Sequence, residues 1–360
     1  MNTTYQYAAE VYNSTSEYLG RVPIQVDWEP AEQWARFLAV QQGMLPPCGA
    51  RAAASVRPIW HSKLGRPYTD GFQVRIHTGN HGDVASRFEA EYFREAAERA
   101  SGHFVASARL KTGDKFRFFV SATREAPRKA PARSRFDSDG VTLTYPLREG
   151  SVKKFLQASS TRGVVWERDI PVFIPSHVLA ETAALARQAD EKETGGILIG
   201  YLYRDPEARE IFSVITAQVP ATGARGDSSR LEFTAEAWTE MRAKLDRRDR
   251  GESIGGWWHS HPVNVWCRQC PLERRKICSL AGGFLSSHDR TLHRTMFPHA
   301  YGLALVVNHL AASVQTHSVF GWRRGMLEPR GFHVLDVEPE GAIKEPMQRS
   351  MSGGGNAAIT

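Results

Sequence analysis

The chain has 360 residues, 41% of them hydrophobic, with nine tryptophans and a net charge of +7. That is enough for more than one domain and a sizeable core. No run of 18 apolar residues occurs, and the opening Met1-Asn-Thr-Thr-Tyr-Gln-Tyr7 lacks the basic and apolar blocks of a signal peptide, so a membrane span is not expected and a cytoplasmic location is. Four cysteines are too few for a disulfide scaffold.

Residues 1–28 are polar and aromatic without clear period, apart from the short apolar stretch Val22–Val26. Glu29–Gln42 reads as a helix, with Pro30 in its first turn, Trp34, Phe37, Leu38 and Gln41 along one stripe, and Gly43 as its stop. Gly71–His77 alternates like a half-buried strand. Ser86-Arg-Phe-Glu89 has the form of a capping box opening a helix to about Ala100. His103–Leu110 and Lys115–Ala122 read as the arms of a hairpin. Residues 1–122 therefore form an α+β module. No cluster of His, Cys or acidic residues in it has catalytic spacing, so the expectation is that it orients a partner and that the remainder folds without it.

Residues 123–165 are expected to be a basic linker and connecting strand. Residues 121–165 carry nine basic and four acidic side chains, and Arg124–Arg135 has two alanine-proline pairs. Val141–Tyr145 reads as a strand belonging to either side. The basic excess is too diffuse to imply nucleic acid, which is not expected as a partner.

From 166 to 337 strands and helices alternate, which predicts a central sheet covered by helices. The strand Ile170–Ile174 precedes a helix that Ser176 would cap, with Leu179, Thr182, Leu185, Ala186 and Ala189 on its inner stripe. Strands follow from Glu193 to Tyr203 and Glu210 to Val219, then a helix capped by Thr234 and reaching Arg248. Residues 338–360, with Gly353-Gly-Gly355, read as a disordered tail.

The chemistry is concentrated in three stretches. Ser253-Ile-Gly-Gly-Trp-Trp-His-Ser-His-Pro262 ends a strand with two histidines at i and i+2, whose imidazoles point the same way from extended backbone and can serve one metal ion. Glu193-Thr-Gly-Gly196 places a carboxylate at the mouth of another strand. Leu285-Ser-Ser-His-Asp289 supplies a hydroxyl and, three residues on, a carboxylate. Singly, each is as readily a packed pair, a turn residue or a helix cap.

In the order Glu, His-x-His-Pro, Ser-x-x-Asp, they resemble the JAMM (MPN-plus) metalloprotease family, over roughly residues 170–335. The resemblance implies a three-layer α/β fold similar to that of cytidine deaminases. It also implies one catalytic zinc on His259, His261 and Asp289, with Glu193 moving the proton and Ser286 donating toward the water or developing oxyanion. The implied activity is an isopeptidase or peptidase that cleaves after the C-terminus of a ubiquitin-like protein. Its partners would be that protein and its conjugates, with the activating and conjugating enzymes of the same pathway. Trimming of a sulfur-carrier protein and a non-catalytic MPN scaffold are the alternatives. One departure is plain: the family's spacing between the second histidine and the serine is much shorter, whereas here Pro262 to Leu285 intervene. Within that insertion Cys267-Arg-Gln-Cys270 has two-residue spacing suited to zinc, with Cys278 a third ligand. A second, structural zinc, reduced thiols and a redox switch are its three readings.

Overall fold

A computed structural model describes residues 5–63, 66–78, 82–124, 141–280 and 282–337. The basic segment 125–140 and the tail 338–360 lie outside the described residues. None of the described helices is long and apolar enough to cross a membrane.

The described residues from 5 to 144 build two small antiparallel sheets around two helices. Strands β1 (Tyr5–Asn13) and β2 (Tyr18–Ile24) pair as a hairpin, and β6 (Phe116–Arg124) closes a three-stranded sheet along the other edge of β1. The second sheet runs β5-β4-β3-β7, from β3 (Cys48–Lys63), β4 (Arg66–His77), β5 (Asp83–Glu89) and β7 (Val141–Thr144). Helix α1 (Glu29–Gln41) matches its expected bounds to within a residue, with Pro30 at the start and Ala31, Trp34, Ala35 and Phe37 buried. Helix α2 (Arg94–Ala106) follows a single 3-10 turn over Ala90–Phe93.

Two expectations fail here. Ser86–Glu89 is strand, not capping box: Val84, Ser86 and Phe88 alternate inward, and Phe88 stacks on Phe72 at 4.9 Å. Cross-strand burial of that ring outweighs the local capping pattern. His103–Ala106 is the end of α2 instead of a strand, because Ala97, Ser101 and Phe104 fall on one buried helical face. Of the expected hairpin only the second arm exists, and it pairs with β1.

The large sheet has the order β18-β17-β16-β15-β11-β12-β10-β19-β9, with β8 (Leu147–Glu149) alongside β11. Its strands are β9 (Ser159–Arg162), β10 (Val172–Pro175), β11 (Gly195–Asp205), β12 (Glu210–Pro220), β15 (Ser253–His261), β16 (Leu303–Ala311), β17 (Val314–Arg323), β18 (Met326–Arg330) and β19 (Phe332–Leu335). The connector is therefore divided: β7 joins the second small sheet, while β8, the short helix α3 (Val152–Gln157) and β9 belong to the large one. Helix α4 (Ser176–Ala189) covers one face, packing Val178, Leu179 and Ala186 on Leu198, Trp258, Leu303 and Leu305. Its N-cap is Pro175, without a side-chain cap, so Ser176 is the first helical residue and does not cap. A small hairpin, β13 (Arg225–Gly226) with β14 (Leu231–Glu232), leads into α5 (Ala235–Arg248). Thr234 caps α5 as expected, accepting from the Ala237 N–H at 3.1 Å. Helix α5 packs Met241 and Leu245 on the opposite face, against Ile197, Ile199 and Val219. This is an α/β fold of three layers.

The two halves share one core. Ile170, Leu202, Ile211, Ala300 and Tyr301 cluster with the buried residues of the first half, and Tyr145 packs between Phe37 and Tyr301 at 6.2 and 6.0 Å. Gly325, at φ +70, closes the β17–β18 turn so tightly on α1 that a Cβ there would stand 2.9 Å from Ala31 Cα. Separating the second half would bare this apolar surface, which weighs against its folding by itself.

Candidate metal centre

The site forms where β15 ends. Strand alternation sends Trp257, His259 and His261 to the face opposite α4, toward α8 (Ser287–Met296), while Trp258 turns to the α4 side. Ser286 caps α8: its Oγ accepts from the Asp289 N–H at 3.1 Å, and its own N–H donates to Asp289 Oδ2 at 2.8 Å. This reciprocal capping box aims the Asp289 carboxylate back at the strand end. His259 Nε2 and His261 Nε2 stand 3.0 Å apart, and His259 Nε2 is 3.6 Å from Asp289 Oδ2. All three residues are buried, and their donor atoms lie within 4.8 Å of one another.

Glu193 reaches the same place from β11. The register pairs Gly195 with His259, so the residue two before Gly195 arrives opposite the end of β15. Ser260 locks this arrangement: its N–H donates to the Thr194 carbonyl at 2.8 Å and its Oγ accepts from the Thr194 N–H at 3.0 Å. The Glu193 N–H donates to the Asp227 carbonyl at 2.8 Å. Gly195 is required by the close approach, since a Cβ there would meet the Trp258 carbonyl oxygen at 2.3 Å.

Electrostatics separate the roles of these groups. Burial, then the neighbouring His259, pushes His261 down to about 3, so the imidazole is neutral and its lone pair free at neutral pH. Burial also acts to raise Asp289, but the hydrogen bond and charge of His259 and the Ser286 hydrogen bonds outweigh it and hold the carboxyl below its usual range. Burial pushes Glu193 up to about 7; His259 opposes the rise, and the Asp289 and Asp227 carboxylates add to it. One acidic group is thus held ionised beside the histidines while its neighbour titrates near neutrality.

Two imidazole nitrogens and a carboxylate oxygen converge in a buried space, and that donor set fits a divalent transition metal with open positions. Among the described residues this is the one group of three such donors close enough to hold an ion. Of the cysteines, Cys267 and Cys278 bring their sulfurs to 4.0 Å, and among the described residues they belong to no such group of three. His293, His299 and Cys48 are engaged elsewhere. His293 accepts from Trp257 Nε1 at 3.1 Å and His299 stacks on Tyr301 at 5.3 Å, while Cys48 Sγ contacts the Tyr145 carbonyl.

Several supporting residues had no signal in the sequence. Trp257 lies flat on His259, with ring centroids 4.5 Å apart and planes 10° from parallel. Its indole N–H is fixed by the fully buried His293 of α8. His261 is flanked by Trp266 at 5.0 Å and Phe284 at 4.7 Å, both from the insertion. The tryptophan pair in the sequence marked a buried strand; which of the two faced the histidine depended on the layer each side met.

Residues 175–265 match the family described as prokaryotic homologs of the JAB domain. That segment is similar to JAB-type domains of the JAMM/MPN kind. The matched segment contains Glu193, His259 and His261 and stops before Ser286 and Asp289, which the fold brings to the same site. A Desulfitobacterium hafniense protein solved in solution is similar over 46% of this chain and 94% of its own, at 17% identity and a TM-score of 0.31. No curated protein matches the chain.

Proposed function

We propose that this chain is a zinc-dependent peptidase or isopeptidase that cleaves after the C-terminus of a ubiquitin-like protein. The observation that carries the reading is the buried meeting of His259, His261 and Asp289 beside a Glu193 carboxyl whose pKa lies near 7. JAB-type domains include scaffolds as well as enzymes, and a scaffold has no use for a carboxyl tuned to neutrality next to three converging ligands. A divalent zinc held there supplies a Lewis acid for the scissile carbonyl and lowers the pKa of bound water to about 7.

The chain's own groups do the rest. Glu193 accepts a proton from the attacking water and returns it to the departing nitrogen, two transfers that a carboxyl titrating near the working pH performs with little penalty either way. The Ser286 oxygen is occupied as the acceptor of the α8 cap, which leaves its O–H to donate toward oxyanion charge. Asp289 and the neutral His261 remain in their ligating forms across the neutral range. The insertion's Trp266 and Phe284 shield the His261 side from water.

The test is hydrolysis of a ubiquitin-like protein fused at its C-terminus to a reporter, with metal content measured in the same sample. The parent should hold zinc and lose activity to a chelator. Glu193→Gln should keep the zinc while the rate falls by about 10²–10⁴-fold, since it removes the proton carrier and no ligand. Undiminished hydrolysis by Glu193→Gln would sink the assignment. Turnover of a sulfur-carrier fusion alone would move the substrate to that class.

A further inference from the structure

The insertion holds two sulfurs that the proposed chemistry does not use. Helices α6 (Val263–Trp266) and α7 (Leu272–Ile277) are short, and each ends in a cysteine: Cys267 is the C-cap of the first and Cys278 of the second. Their Sγ atoms are 4.0 Å apart, in contact but not bonded. Arg275 ties the loop between them, donating to the carbonyls of Cys270 at 2.8 Å, Arg268 at 3.0 Å and Leu310 at 3.0 Å. The segment is thus folded around the sulfur pair. Cys267 is buried with Val263 and Leu310, and Cys278 is partly open to solvent. A tetrahedral metal would need further donors, and none of the described residues provides a third within reach. Two thiols in contact can also be joined as a disulfide.

We propose that Cys267 and Cys278 are a redox pair which a two-electron oxidant of the peroxide class closes to a disulfide, fastening the insertion over the metal centre. Attack of the Cys278 thiolate on the peroxide breaks the O–O bond and gives a sulfenic acid with release of hydroxide. The Cys267 sulfur then displaces the sulfenic oxygen as water. The balance is two thiols and one peroxide to one disulfide and two waters, the sulfurs losing the two electrons that the peroxide gains. Cys278 reacts first because it is the more exposed, and burial raises the Cys267 thiol and keeps it protonated until the second step. Bond formation needs the sulfurs to close from 4.0 Å to about 2 Å, a movement that two short helices with few buried contacts can absorb.

The consequence for the site passes through one residue. Trp266 directly precedes Cys267, lies 5.0 Å from the His261 ring, and donates its indole N–H to the Ser228 carbonyl. Crosslinking Cys267 to the end of α7 removes the freedom of Trp266 to swing away from His261. The oxidised chain should therefore exchange its metal, and admit substrate, more slowly than the reduced one. This consequence rests on the proposed metal site; the disulfide itself does not.

Trypsin provides a direct test, because Arg268, Arg274, Arg275 and Lys276 place Cys267, Cys270 and Cys278 on three different peptides. The full chain is treated with hydrogen peroxide, alkylated, digested without reductant and mapped by mass spectrometry. The expected result is a linked Cys267–Cys278 peptide pair, abolished by dithiothreitol, with Cys48 and Cys270 alkylated. Cys270→Ser should leave the link intact, and Cys267→Ser should abolish it. Zinc extraction by a chelator should slow several-fold on oxidation in the parent and in Cys270→Ser but not in Cys267→Ser. A link from Cys270 to either partner overturns the assignment. So does a fully alkylated insertion after oxidant, or a zinc count showing the sulfurs occupied by a second ion. A correct link with unchanged zinc extraction overturns the coupling to the metal site.

Discussion

The two imidazoles of the candidate metal centre are two residues apart in sequence, yet they are held by opposite kinds of structure. His259 rests on the domain core: its ring lies flat on Trp257, whose N–H is fixed by His293, with Phe297 and Trp322 packed behind. His261 rests on the insertion, between Trp266 and Phe284, which are carried by two short helices and a loop. A core-supported ligand is placed once, when the protein folds, whereas an insertion-supported one can be released or fastened afterwards. The difference teaches that one site can join a support fixed by the fold to a support on a local segment.

The largest expected effect is on the core side. Trp257→Ala should lower unfolding free energy by about 3–5 kcal/mol, as expected for a large buried ring, and metal binding should weaken with it. Urea unfolding and a zinc titration measure both; a loss under about 1 kcal/mol would show that the stack supports nothing.

Removing residues 1–145 comes next. The fragment loses the partners of Ile170, Leu202, Ile211, Ala300 and Tyr301 and should associate or melt early. Sedimentation of a monomeric, zinc-binding fragment would instead show that the shared core is dispensable.

Trp257→Phe keeps most of the packing but strands His293 Nδ1 without its donor. A cost of about 1–3 kcal/mol is expected, with zinc retained. Trp266→Ala should fall below about 1 kcal/mol in stability, because the ring is only half buried. Its effect should show in kinetics, as faster chelator extraction of zinc; equal extraction rates would erase the contrast between the two imidazoles.

The smallest effect concerns pH. Burial pushes His317 down from 6.5 to about 4, although its hydrogen bond to the Leu179 carbonyl opposes the change. With the folded value below the unfolded one, the unfolded chain binds the extra proton first. The stabilisation is complete above about 6.5 and is lost progressively as pH falls toward about 4. His317→Gln should flatten that part of the acid limb in thermal melts at a series of pH values, leaving the neutral region little changed; an unaltered slope would exclude His317 as a contributor.

Within the metal centre, sequence alone carried the residues whose chemistry depends on local spacing. His259 and His261 share a face because strand side chains alternate, and Ser286 and Asp289 form a capping box because they are one helical turn apart. The same local logic failed at Ser86–Glu89, where the capping pattern is overruled by pairing with β4 and the stack of Phe88 on Phe72, and at His103–Leu110, where helix burial wins. It could not rank Trp257 against Trp258 as the support of His259, since that depends on which layer covers each face. Nor could it choose among the readings of three cysteines. The folded loop brings Cys267 to Cys278, because contact between residues eleven apart follows from the path of two short helices and the arginine that ties them. What the sequence by itself determined is the candidate metal-binding residues and the strand, turn and cap that present them. The tertiary structure alone decided the joining of the two halves into one core, the partner of each buried ring and the pairing of the sulfurs, since burial is a property of what packs on the other side.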